Sequence, residues 1–205
     1  MENNEKKIGL TKAATNTKDF TLKIVFLGVL TALVVVLQLI VLKFGVFSIT
    51  LALTPIIIGA ALYGVLPGAW LGFVMGVTVL LNGDAAPFLE VNFIGTILTV
   101  LLKGAAAGMA AAAVFRLLEK KSRFAAVIGA SIAAPVANTG VFLIGTFVFF
   151  LETVSMWAGD QPVIKYIFLG LIGINFPVEL AVNLALSTVV LTVINYVKKN
   201  MIGNK

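Results

Sequence analysis

The sequence predicts an all-α membrane protein, with six transmembrane helices in one bundle and both termini cytoplasmic. Composition is the first observation behind this. Of 205 residues, 60% are hydrophobic and 12% charged, about half the charged share of a soluble domain. Mean hydropathy is +1.09, and a body of this size has too much surface to hide so many apolar side chains from water. Lipid must therefore be the solvent for most of the chain. The second observation is a series of apolar runs long enough to cross a hydrocarbon core of about 30 Å. The third is the distribution of cations along the chain.

Residues 1–21 are polar, with Lys6, Lys7, Lys12, Lys18, Glu2, Glu5 and Asp19, and show no sustained apolar periodicity; they read as a cytoplasmic tail. Residues 22–42 form the first crossing, interrupted only by Lys23, Thr31 and Gln38, and are too long for a signal-peptide core. Two apolar stretches follow, 49–65 and 66–81, divided by a tight turn at Gly64 and Pro67. They read as an antiparallel helical pair near the lower length limit for spanning, with Pro55 marking a helix start or a kink. Asn82, Gly83, Asp84, Pro87 and Glu90 form a polar loop. The fourth crossing runs over 92–118 and the fifth over 124–151. The sixth lies within 163–197, a stretch longer than one crossing needs. Residues 22–197 thus make one transmembrane domain, and 198–205 a second cytoplasmic tail.

An even number of crossings puts both ends on one side, and that side collects twelve of the fifteen cations: Lys6, Lys7, Lys12, Lys18, Lys23, Arg116, Lys120, Lys121, Arg123, Lys198, Lys199 and Lys205. Lys43 and Lys165 lie on the other side with Asp84, Glu90, Glu152 and Asp160. The positive-inside rule makes the richer side cytoplasmic and the protein multi-pass in the cell membrane. The same distribution forms no groove-reading motif, which excludes a nucleic-acid partner. Cysteine and histidine are absent, removing disulfides, thiolate metal sites and histidine-assisted catalysis. No enzyme activity and no cofactor bound by this chain are expected. Without a G-x-x-x-x-G-K-[ST] loop, any ATP-driven work falls to other subunits.

Polar groups inside the apolar runs carry the functional reading. Lys103 lies eleven residues beyond Asn92, roughly 16 Å along the helix and near the membrane middle. An ammonium there costs about 3 kcal/mol, so it faces a ligand, pairs with Glu179, or snorkels. Asn92, Thr96 and Thr99 lead inward to Lys103 at helical spacing. On the fifth crossing, Pro135 and Gly140 flank Asn138 and Thr139 in Ala133-Ala-Pro-Val-Ala-Asn-Thr-Gly140; polar side chains beside a proline-loosened turn suit a substrate site or a merely kinked helix. On the sixth, Asn175, Glu179 and Asn183 share one face that must look into the bundle. Asn175 and Glu179 are ligand candidates, while Asn183 is read as interhelical bonding. Trp157 and Tyr166 serve as pocket walls or interfacial anchors. Gly28 and Ala32 form a small-residue patch on the first crossing, and the segment from Gly104 to Gly108 offers close packing within the bundle.

The six-helix pattern, the small-xxx-small first helix and the segments Asn92-Phe-Ile-Gly-Thr96, Pro135-Val-Ala-Asn-Thr-Gly-Val-Phe142 and Gly173-Ile-Asn-Phe-Pro-Val-Glu-Leu-Ala-Val-Asn183 resemble substrate-binding S components of energy-coupling factor (ECF) transporters. The resemblance covers about residues 22–197 and is nearest the pantothenate-type members. It implies a vitamin bound near the outer surface by the fourth to sixth helices and the loops after the first, third and fifth. It also implies docking onto a transmembrane coupling subunit driven by two ATPase subunits. The family's Ala-x-x-x-Ala docking motif maps onto Gly28 and Ala32, with glycine replacing the first alanine. Pantothenate offers one carboxylate with hydroxyl and amide groups, matching Lys103 among Asn and Thr; riboflavin, folate or cobalamin are the alternative vitamins. If Glu179 shares the pocket, a neutral or cationic vitamin fits better. A membrane assembly protein without ligand is the reading from another class.

Overall fold

A computed structural model describes the backbone of residues 2–40, 42–44, 47–49, 51–173 and 175–202, and the side chains of residues 20–40, 51–173 and 175–200. The first helix, α1 (Glu2–Leu39), runs without a break from the polar segment into the apolar one. The expected tail is therefore helical in backbone. Two three-residue strands follow, β1 (Leu42–Phe44) and β2 (Phe47–Ile49), paired antiparallel with Leu42 opposite Ile49. They lie between the expected first and second crossings and overlap each by one residue, Leu42 and Ile49.

The next helix, α2 (Leu53–Tyr63), has 11 residues, about 16 Å of rise. Its residues are apolar on every side, and Leu53, Pro55 and the run from Ile56 to Ala61 are all buried. A short helix of that kind belongs in a core rather than against lipid. Pro55 stands in its first turn, where the missing N–H deprives no helical acceptor. Gly64, at φ 95°, is the one residue between α2 and α3 (Val65–Leu81, 17 residues). The tight turn falls there as expected, and Pro67 lies within the first turn of α3.

Among the described residues, four stretches are long and apolar enough to cross a membrane: Phe20–Leu39, Phe93–Glu119, Arg123–Phe149 and Val163–Ala185; α2 and α3 are apolar but shorter. The polar loop after α3 holds a six-residue helix, α4 (Ala86–Val91). Asn92 and Ser122 cap α5 (Phe93–Glu119) and α6 (Arg123–Phe149), accepting from Gly95 N at 2.9 Å and Ala125 N at 3.3 Å. α6 continues helical through Pro135. After α7 (Leu151–Ala158), the expected sixth crossing is subdivided into α8 (Val163–Tyr166), a π-helical turn (Ile167–Ile172), α9 (Asn175–Ala185) and α10 (Ser187–Val197), with a second π-helical turn, Lys198–Ile202, after it. Gly173, at φ 48°, makes the break before α9. Hydrogen bonds run across Leu186 from both sides, at 2.9 Å to Val182 O and 3.0 Å from Val190 N, so α9 leads almost directly into α10.

The main core joins Leu30 and Val34 of α1, most of α2, Leu71 and Met75 of α3, Ala107 to Phe115 of α5, Ala126 to Ala134 of α6, and Val190 and Ile194 of α10. At its far end Glu119 pairs with Arg123 at 3.8 Å and with Lys198, while Arg123 Nη1 donates to Asn195 Oδ1 at 2.8 Å. These contacts tie the α5–α6 connection to the end of α10. The opposite end is less filled, and the polar residues collect there.

Candidate functional site

The N-terminal half of α5 is the backbone of the site. Spacings of three and four residues put Thr96, Thr99 and Lys103 on one helical face, and that face lines a cavity of about 160 Å³. The cavity lies where α1, α3 and α6 end and α5 begins. Gln38 of α1, Val79 of α3 and Asp84, Ala85 and Phe88 from the connection and α4 enclose it on one side. Phe142 and Phe150 from the α6 side complete the wall.

Five polar side chains, Gln38, Asp84, Thr96, Thr99 and Lys103, meet an aromatic cover here. Lys103 Nζ lies 5.4 Å from the centroid of the Phe142 ring, within cation–π range. The charges of Glu179 and Asp84 both act on Lys103, yet the ion pairs within 4 Å among the described residues are those of Glu119. The expected structural pair between Lys103 and Glu179 is thus an interaction across a gap, not a direct contact. Thr96 Oγ1 donates to Asn92 O at 2.8 Å, while the buried Thr99 Oγ1, packed against Gly145 of α6, has no hydrogen-bond partner. Asp84 is held by Asn82, whose Nδ2 donates to its carboxylate at 2.7 Å and whose Oδ1 accepts from its backbone N at 3.0 Å. Above them Phe88 meets Phe150 at 5.0 Å, Trp157 at 5.4 Å and Phe142 at 5.8 Å between ring centroids. All three are edge-to-face contacts of the favourable kind.

Of the eight residues expected to bind a ligand, the cavity brings together Thr96, Thr99 and Lys103. Asn92 is spent as the α5 cap. Asn138 and Thr139 lie outside the lining, although Asn138 precedes Phe142 by one turn and its buried Oδ1 has no partner. Asn175 and Glu179 are also outside the lining, at the start and middle of α9. Asn183, expected to bond another helix, donates instead to Glu179 O of its own helix at 2.8 Å. Trp157 stands behind Phe88, and Tyr166 packs against the cluster of Phe150, Val154 and Ile167 that backs the aromatic cover. The lining residues beyond those expected are Gln38, Asp84, the three phenylalanines and the small apolar residues Val79, Ala85 and Val100. Gln38 is visible in the sequence as one of three polar interruptions of the first apolar run. The phenylalanines carried no signal, being indistinguishable from lipid-facing aromatics.

A cavity under an aromatic cover, beside a cation carried within a helix long enough to cross a membrane, suits capture of a small polar solute. The family model for the ECF transporter substrate-specific component matches residues 22–196. The chain belongs to this family. Comparison with curated proteins and with solved structures returns no match. Membership makes the chain a multi-pass transport subunit, not an enzyme. S components work with a membrane coupling subunit and ATPases, so the energy for uptake comes from those partners. It also sets aside the assembly-protein reading in favour of a substrate-specific membrane subunit.

Proposed function

We propose that this S component captures an acidic vitamin of the pantothenate type in the cavity beside Lys103. One observation carries the reading: Lys103 lines a cavity under an aromatic cover and is not consumed in a direct ion pair. A carboxylate placed against Lys103 would compensate a cation held away from bulk water, and Thr99, whose Oγ1 has no partner, would offer a hydroxyl or amide a hydrogen bond once turned from Gly145 toward the cavity. At about 160 Å³, the cavity is smaller than the roughly 300 Å³ at which small-molecule sites usually begin. The cover of Phe88 and Phe150 therefore has to yield as the ligand enters. Asn138, Thr139, Asn175 and Glu179 are the residues that such a widening would bring into reach, and Asn92 sets the register of the α5 face.

Six crossings with both termini cytoplasmic remain our topology, with α2 and α3 completing the four longer spans. Residues 1–21 and 198–205 are then cytoplasmic tails. Its supports are the cation distribution and the joining of the α5–α6 connection to Lys198 at one end of the bundle. The cavity, at the other end, opens outward. Gly28 and Ala32 are the docking patch for the coupling subunit. Both are exposed, and a Cβ built on Gly28 meets nothing within 4 Å. The chain itself needs no cofactor; ATP is used by the partners.

Calorimetry of the purified protein with pantothenate, riboflavin, folate and cobalamin tests the site. Pantothenate is expected to bind saturably, and Lys103→Met to weaken it by about a hundredfold, the loss of one buried charge partner. Equal weakening of neutral and acidic vitamins would defeat the assignment. A second reading rests on Asp84 and Glu179, whose charges both act on Lys103: preferential binding of a neutral or cationic vitamin in the same panel would favour it.

A further inference from the structure

A second concavity lies at the other end of the bundle. It is a groove of about 600 Å³ between α1 and α5, floored by the first turns of α3, with walls from Leu27, Leu66, Pro67, Trp70, Phe73 and Ala105. Trp70 and Phe73 stack at 6.3 Å, and Trp70 Nε1 donates to Thr31 Oγ1 at 3.3 Å, which holds the indole in the groove wall. The lining is apolar except for Lys23 at its edge.

The mouth of the groove is cationic. Lys23 Nζ lies 5.6 Å from the Tyr63 ring centroid. Arg116 reaches the adjacent residue from the α5 side: its guanidinium occupies the space where a Cβ of Gly64 would stand. Arg116 follows Ala105 by eleven residues, three helical turns, and so projects from the same face of α5. The two cations therefore flank one turn, Tyr63 and Gly64, at the end of the apolar groove. Neither joins an ion pair among the described residues.

We propose that this groove holds one anionic diacyl phospholipid of the phosphatidylglycerol type, with an acyl chain along Trp70 and Phe73 and its phosphate between Lys23 and Arg116. Charge favours a lipid over a protein helix, and one acyl chain is enough to cover the apolar lining while the second chain stays in the surrounding bilayer. Two uncompensated cations at its mouth match one phosphodiester. Gly28 lies about 100° around α1 from Leu27, so a lipid here leaves the Gly28 and Ala32 patch open.

The test uses the full-length protein with Trp157→Phe, which leaves Trp70 as the sole tryptophan, in bilayers mixing phosphatidylglycerol and phosphatidylcholine. One lipid at a time carries brominated acyl chains that quench nearby indoles. Brominated phosphatidylglycerol should quench Trp70 far beyond its mole fraction, with a preference of roughly thirtyfold at about fivefold per cation. Lys23→Gln with Arg116→Gln should return quenching to the mole fraction. Ala69→Phe, which fills the floor without touching either cation, should abolish the preference independently. Quenching that follows mole fraction in the parent protein, or a preference that survives either variant, overturns the proposal.

Discussion

Two regions of the molecule carry small residues four apart, and they end in opposite surroundings. On α1, Gly28 and Ala32 face outward with open space before Gly28. Between α3 and α5, Gly68, Gly72 and Gly76 meet Gly108, Gly104 and Val100 so closely that a Cβ on Gly72 or Gly108 would overlap a carbonyl of the other helix. Each step of four up α3 matches a step of four down α5, the register of an antiparallel crossing. The same spacing thus makes a lock in one place and a vacant face in the other. Small residues state that a helix can come close; they do not state which helix does.

Filling the lock should give the largest effect. Gly72→Leu puts a side chain into the backbone of Gly104, which cannot retreat as a flexible side-chain tip could. A loss above about 4 kcal/mol is expected, enough to prevent folding; the measurement is the yield and thermal stability of protein extracted from membranes. Survival of Gly72→Leu with unchanged stability would show that α3 and α5 are not locked there. Removing the α5 cap with Asn92→Ala should cost about 1 kcal/mol, a drop in thermal stability large enough to measure. The vacant face should respond least in stability and most in function. Ala32→Leu is expected to shift stability by no more than about 0.5 kcal/mol and to leave substrate binding intact, while co-purification with the coupling subunit and uptake are lost. Lost substrate binding instead would make the α1 patch a folding element like its counterpart.

Much of the site was legible because burying charge and amide groups in lipid is costly. Lys103, Thr96 and Thr99 had to face inward, and they share the cavity. The same reasoning placed Asn138, Asn175 and Glu179 inward without saying whether they reach that cavity or stop short of it. Asn92 shows a further limit, since a polar residue just ahead of an apolar helix reads equally as ligand and as cap, and its bond to Gly95 N decides for the cap. The second apolar run shows another limit: length and hydropathy mark residues 49–65 without saying that α2 takes only 11 of them, Leu53–Tyr63, or that these pack into the core.

By itself the sequence determined that this protein lives in lipid, that its intramembrane polar side chains turn inward, and that it resembles S components. Those conclusions need only transfer free energies and helical periodicity, which are properties of local composition. Tertiary structure decided which polar faces enclose a common space, which small residues are locked, and which apolar helix packs into the centre of the core. Each of these depends on what lies across a face, and the identity of that neighbour is set by packing among segments distant in the chain.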